Sequence, residues 1–174
     1  MSLSAEQPER RAPVASTSVR RVVRASLTGG ALAGGLDILA AFAVYGALGA
    51  SPHRILQSIA SGLLGAAAFQ GGVATAALGL ALQFFIASVA AWVYCLGSLR
   101  APVLVQRPLL CGALYGVAVY IVMNFVVVPL SAVPKGPFAW DLAPVIVIVH
   151  IVCVGVPIAY AMRNYGWHQK GSSA

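Results

Sequence analysis

Four side chains in this 174-residue sequence combine strongly polar chemistry with apolar surroundings: Asp37, Gln83, Asn124 and His150. Each stands near the middle of a different long apolar block, within about 7 Å of that block's centre at ~1.5 Å of rise per residue. Two kinds of chemistry suit the set. Asp37 and His150 can exchange protons or bind a polar solute, with Gln83 and Asn124 as orienting amides. Alternatively, the four form an interhelical hydrogen-bond cluster that fixes register, each bond contributing about 0.6 kcal/mol. Asp37 is the residue least suited to a pure packing role, because asparagine would pack at lower cost than a carboxylate.

The elements that must position these residues follow from composition. Fifteen charged residues make up 9% of the chain, against 60% hydrophobic and a mean hydropathy of +0.88. A soluble domain of this length would carry charge at roughly a quarter of its positions. That shortfall excludes an ordinary globular protein and points to lipid as the main solvent. Four blocks, at about 27–49, 73–97, 109–130 and 141–162, are long enough for a helix to cross a ~30 Å hydrocarbon core. A fifth, 55–69, gives only about 22 Å of helix and is too short to span unaided.

Charge decides the parity. With four spans and an inner N-terminus, Arg10, Arg11, Arg20, Arg21, Arg24, Arg100, Arg107, Arg163 and Lys170 lie inside, and only Arg54 and Lys135 outside. A fifth span would divide the same cations almost evenly, which the positive-inside rule disfavours. Both termini are therefore expected in the cytoplasm. The aromatic residues agree: Tyr45 and Trp140 near the outer ends, with Trp92, Tyr94, Tyr160, Tyr165 and Trp167 near the inner ends. Segment 1–24 has too little apolar content to fold and reads as a basic cytoplasmic tail, 25–163 as the transmembrane domain and 164–174 as a second tail. Span one reads as a signal anchor rather than a cleaved peptide. The net charge of +7 is explained by orientation and attraction to anionic headgroups, so the partner is the lipid bilayer and not nucleic acid.

Between the first two spans, Ser51 can cap a helix and Pro52 suits its first turn. Ile55, Leu56, Ile59, Ala60, Leu63 and Leu64 fall on one side, with Gln57, Ser58 and Ser61 on the other. An interfacial or re-entrant helix over about 52–69 is predicted, ended by Gln70, Gly71 and Gly72. The expected fold is thus all-α, an integral membrane four-helix bundle with this short helix between spans one and two. Gly30 with Gly34 and Gly112 with Gly116 form GxxxG patterns where helices approach closely, and the same small-residue faces suit a homo-oligomer. Pro129 and Pro157 remove backbone bonds inside spans, freeing the carbonyls of Phe125 and Cys153, so kinks are expected there. Asp141 is expected to cap the fourth span.

Other chemistry is missing from the sequence. Cys95, Cys111 and Cys153 have no C-x-x-C spacing, and His53, His150 and His168 are scattered in depth. No metal site, cofactor or catalytic motif is predicted, and the chain reads as a non-enzyme. One resemblance runs from Leu36 to Pro134. Asp37-Ile38, Ser51-Pro52, the run Ile55-Leu56-Gln57-Ser58-Ile59-Ala60-Ser61-Gly62-Leu63-Leu64-Gly65, then Ala68-Phe69-Gln70-Gly71-Gly72, Tyr115-Gly116-Val117 and Met123-Asn124 carry it. In these the chain resembles an uncharacterised family of small four-span bacterial inner-membrane proteins. The family more usually has histidine at the position of Gln83, so the resemblance does not support a two-histidine relay here. The expected function is a non-enzymatic membrane-interaction or accessory role, with a small transporter or proton-coupled permeation protein as the alternative.

Overall fold

The computed structural model describes residues 14–136 and 139–166. The expectations for Arg10, Arg11, Trp167, His168 and Lys170 lie outside the described residues. Among the described residues there is no strand: α1 is Val14–Ala47, α2 is Pro52–Leu64 followed by a 3-10 turn Gly65–Gln70, α3 is Gly72–Arg100 and α4 is Val103–Gln106. Then come α5, Pro108–Val122, running through a π turn Met123–Val127 into α6, Val128–Leu130, and α7, Ala143–Val149, running through a second π turn His150–Gly155 into α8, Val156–Gly166. Four stretches are long and apolar enough to cross a membrane: Val22–Ala47, Gly72–Arg100, Pro108–Leu130 and Ala143–Asn164. These are spans 1 to 4, and they match the expected all-α bundle.

Helix α1 begins inside the segment expected to be an unfolded tail. No proline lies between Val14 and Ala47, and once a span is helical each further residue adds one hydrogen bond without a new nucleation cost.

Span 1 packs against spans 2 and 4, and span 4 also packs against span 3. Glycine sets the first pairing. A Cβ at Gly30 would sit 2.6 Å from the Ser88 Cα, and one at Gly34 would sit 2.9 Å from the Phe84 ring. Spans 3 and 4 meet just as closely, since a Cβ at Gly112 would lie 2.9 Å from the Gly155 carbonyl oxygen and one at Gly116 would lie 2.5 Å from that of His150. Spans 2 and 3 complete the circuit loosely. The Tyr115 hydroxyl donates to the Ala90 carbonyl at 2.7 Å, and the Tyr94 and Tyr115 rings meet edge to face at 4.9 Å. Beside them remains an apolar cleft of about 330 Å³ lined by Phe85, Val89, Val93, Ala118 and Val122.

At one end of the bundle α2 bridges spans 2 and 3. Ser51 caps it, accepting a hydrogen bond from the Arg54 amide at 3.3 Å, with Pro52 in the first turn. The helix crosses α3 at Gly79, where any Cβ would overlap the Leu56 carbonyl. Gly79 lies about 10 Å along α3 from Gly72, at ~1.5 Å per residue. The far end of α2 reaches the segment that follows span 3, because the Ala132 amide donates to the Gly62 carbonyl at 3.0 Å.

The side of α2 that faces protein takes Gln57 and Ser61 from the expected polar side together with Ile55 and Ala60 from the expected apolar side, while Ser58 is exposed. Gln57 and Ser61 are each 1% exposed while Leu63 is 64% exposed, and Gln57 donates to the Gly72 carbonyl and the Thr75 hydroxyl. In lipid an exposed leucine costs nothing, whereas an unpaired amide does.

Two other expectations fail for local reasons. Tyr94 is packed inside the bundle rather than presented to lipid headgroups, its hydroxyl donating to the Leu104 carbonyl at 2.8 Å near the inner end of its span. Asp141 makes no cap: α7 starts at Ala143 after Leu142 with no side-chain capping bond. Both prolines do perturb their spans, but by widening a turn. The Val128 amide bonds to the Met123 carbonyl and the Val156 amide to the Ile151 carbonyl, five residues back in each case. Widening the turn removes the clash between each proline ring and the carbonyl four residues earlier.

The α2 crossing predicts opposite outcomes for two glycines. Gly79→Ala should push α2 off span 2 and cost about 1–3 kcal/mol. Gly35→Ala, with nothing within 4 Å of the new methyl, should be stabilising by up to ~1 kcal/mol through helix propensity. Equilibrium unfolding in bicelles measures both; equal effects would contradict the crossing.

Candidate functional site

The four polar span residues surround a common interior space. The α1–α3 register set by Gly30 and Gly34 brings Asp37 opposite Gln83, whose amide nitrogen donates to Asp37 Oδ2 at 2.8 Å. This is the one hydrogen bond that joins two members of the set. Asn124 lies in the first π turn and donates back to the Tyr120 carbonyl of its own span at 3.0 Å. His150 opens the second π turn, with Nδ1 2.9 Å from the Ile146 carbonyl and its ring edge-on to Tyr120 at 5.7 Å. A carbonyl can only accept, so Nδ1 carries a proton and Nε2 of the neutral ring is left as an acceptor.

Two adjoining cavities, of about 520 and 500 Å³, occupy this space. Asp37, Gln83 and His150 line both, and Asn124 lines the second. The first extends to Ser131, Val133 and Pro134 at the α2 end and down to Val154. Val154 belongs to the buried core with Ala33, Ala91, Tyr94, Ile158 and Met162, which fills the bundle on that side. The space is a vestibule with an apolar floor. Sequence reasoning missed three of its polar or charged contributors: Tyr45, Ser58 and Arg54. Tyr45 reads in the sequence as a belt residue, and Ser58 and Arg54 as part of an outer helix. The polar side of α2 is a signal for Ser58 alone; Tyr45 and Arg54 carry none.

Magnitudes separate what holds Asp37 in place. A carboxylate at mid-span costs about 2.5–3.5 kcal/mol on insertion scales, and one interhelical bond returns ~0.6, at most about 1.7. The Gln83 bond alone does not offset the charge. Asp37 makes no ion pair, and its Oδ1 has no hydrogen-bond partner yet is not enclosed. It faces the vestibule, where water, a proton or a solute can meet the remaining cost.

The cysteines are free, with Cys95 buried. Among the described residues no three His, Cys, Asp or Glu side chains group to hold a metal ion. No protein-family model, curated protein or solved structure matches the chain.

These contacts predict unequal contributions to stability. Gln83→Leu should cost about 1–2 kcal/mol, because it strands the carboxylate. Asn124→Ala, which removes only a bond within its own helix, should change stability by no more than ~0.5 kcal/mol. Unfolding in bicelles decides; equal losses would return the four residues to a mutually bonded cluster.

Proposed function

We propose that this chain is a multi-pass bacterial inner-membrane protein, with both termini cytoplasmic, that admits a small polar solute to an intramembrane vestibule as part of a transport or permeation activity. The observation that carries the reading is that polar residues from all four spans line one interior space while only one bond links any two of them. A cluster whose role is packing would spend its hydrogen bonds between helices, because an unsatisfied polar group in hydrocarbon is costly. Here His150 and Asn124 bond within their own helices, leaving Nε2 and the Asn124 carbonyl oxygen to the vestibule. The π turns support the same view, because such turns are frequent at functional sites. In this orientation α2 and the vestibule mouth face the periplasm, and the core around Tyr94 closes the cytoplasmic side. Passage would require that core to open. No catalytic residue set accompanies the proposal, and the four-span family resemblance adds location without chemistry.

The accessory reading keeps one specific support. The Asp37–Gln83 bond and the glycine contacts fix the bundle whatever the vestibule does, and large apolar side chains such as Leu39 and Phe85 remain on the outside for lipid or a second copy.

Hydration tells the two apart. In a chain whose native cysteines are replaced by alanine, Ala41→Cys should react with a membrane-impermeant thiol reagent from the periplasmic side. Leu39→Cys, two residues away and 63% exposed on the lipid side, should not. Two equally inert cysteines would mean a dry interior and would leave only the accessory reading.

A further inference from the structure

Two opposite charges share the vestibule without pairing. Asp37 reaches it from span 1 and Arg54 from α2, both lining the cavity of about 500 Å³, and no ion pair joins them. The other described charged residues line neither cavity. The Arg54 guanidinium lies 4.5 Å above the Phe69 ring. A ring face holds the cation in place but supplies no oxygen acceptor, so the N–H fork keeps its capacity for an anion. At the other pole, Asp37 Oδ1 is unpartnered, and the free Nε2 of His150 is a second acceptor lining the same cavity.

Around the two charges the cavity wall mixes apolar Ala41, Val44, Ile55 and Ile59 with the uncharged polar groups of Tyr45, Ser58, Gln83 and Asn124. Unpaired opposite charges on one cavity, with no other charged side chain in its lining, set up a field across it. A solute with a single charge is drawn to one pole and repelled by the other. A solute carrying both charges gains at both ends when it aligns. We infer that the vestibule selects a small zwitterion of the amino-acid type, its ammonium on Asp37 and His150 and its carboxylate on Arg54. The inference rests on the polar-solute reading above and names the solute's class. The volume falls in the lower half of the range of small-molecule sites, enough for such a solute with some of its water.

The test uses the full chain in nanodiscs and two matched sets of probes: leucine with its methyl ester and its N-acetyl derivative, and γ-aminobutyrate with the same two derivatives. Binding is measured by calorimetry on the wild type, R54Q and D37N, the first neutral and polar, the second isosteric, and both checked for fold by circular dichroism. In at least one set the zwitterion should bind wild type ten-fold or more tighter than either derivative. R54Q should erase its margin over the cationic ester, and D37N should erase its margin over the N-acetyl anion. An ester that binds wild type as well as the zwitterion, with R54Q unchanged, would overturn the zwitterion inference and leave a simple cation site, so the vestibule reading would stand. No binding by any probe would also overturn it, and the thiol labelling of Ala41→Cys against Leu39→Cys would then show independently whether the vestibule reading survives.

Discussion

A carboxylate in the middle of an apolar helix is the constraint around which this structure is arranged. Lipid offers no hydrogen bonds and little dielectric screening, so Asp37 must be met by protein or by water. The chain does both in part. Gly30 and Gly34 let span 1 approach span 2 closely enough for Gln83 to reach one carboxylate oxygen at 2.8 Å. The second oxygen is left toward an interior space where spans 2 and 3 pack only loosely and which α2 lines at one end.

The two prolines contribute to the same space. Each is preceded by a π turn, and each π turn carries one of the polar residues, Asn124 or His150. Five-residue hydrogen bonds widen the helix locally and rotate the residues before them relative to those after. The second π turn is wedged against glycine on both sides of the helix contact: Gly155 meets Gly112 and Gly116, and the His150 carbonyl meets Gly116. A Cβ at any of these positions would push span 4 away, so a distortion begun by Pro157 is held in place by three residues with no side chain.

Much of the fold was legible because crossing a membrane is a one-dimensional demand. Length and apolar content alone locate the four spans, and the start of α2 is written in Ser51 and Pro52, which cap and open it as expected. Inside and outside were harder. In water a buried face is apolar, but in lipid that rule loses its force, and on α2 Gln57 and Ser61 turn inward beside Ile55 and Ala60 while Leu63 and Leu64 turn out. Tyr94 was misplaced for the same reason: an amphipathic ring serves a headgroup level or a buried carbonyl such as that of Leu104 equally well. The identities of Asp37, Gln83, Asn124 and His150 could be read from the sequence, because strongly polar residues are rare in the spans. That they line a cavity instead of bonding to one another could not. It depends on how loosely spans 2 and 3 pack, and on the reach of α2 over the space beside them.

The central claim is that Asp37 faces a hydrated vestibule. Infrared difference spectroscopy of the protein in lipid nanodiscs, with D37N to assign the bands, addresses it directly. The account predicts carboxyl and carboxylate bands of Asp37 that interconvert reversibly with bulk pH and shift promptly on transfer to heavy water. A band that neither titrates nor exchanges would show a dry carboxyl group sealed among the helices, and would contradict the account.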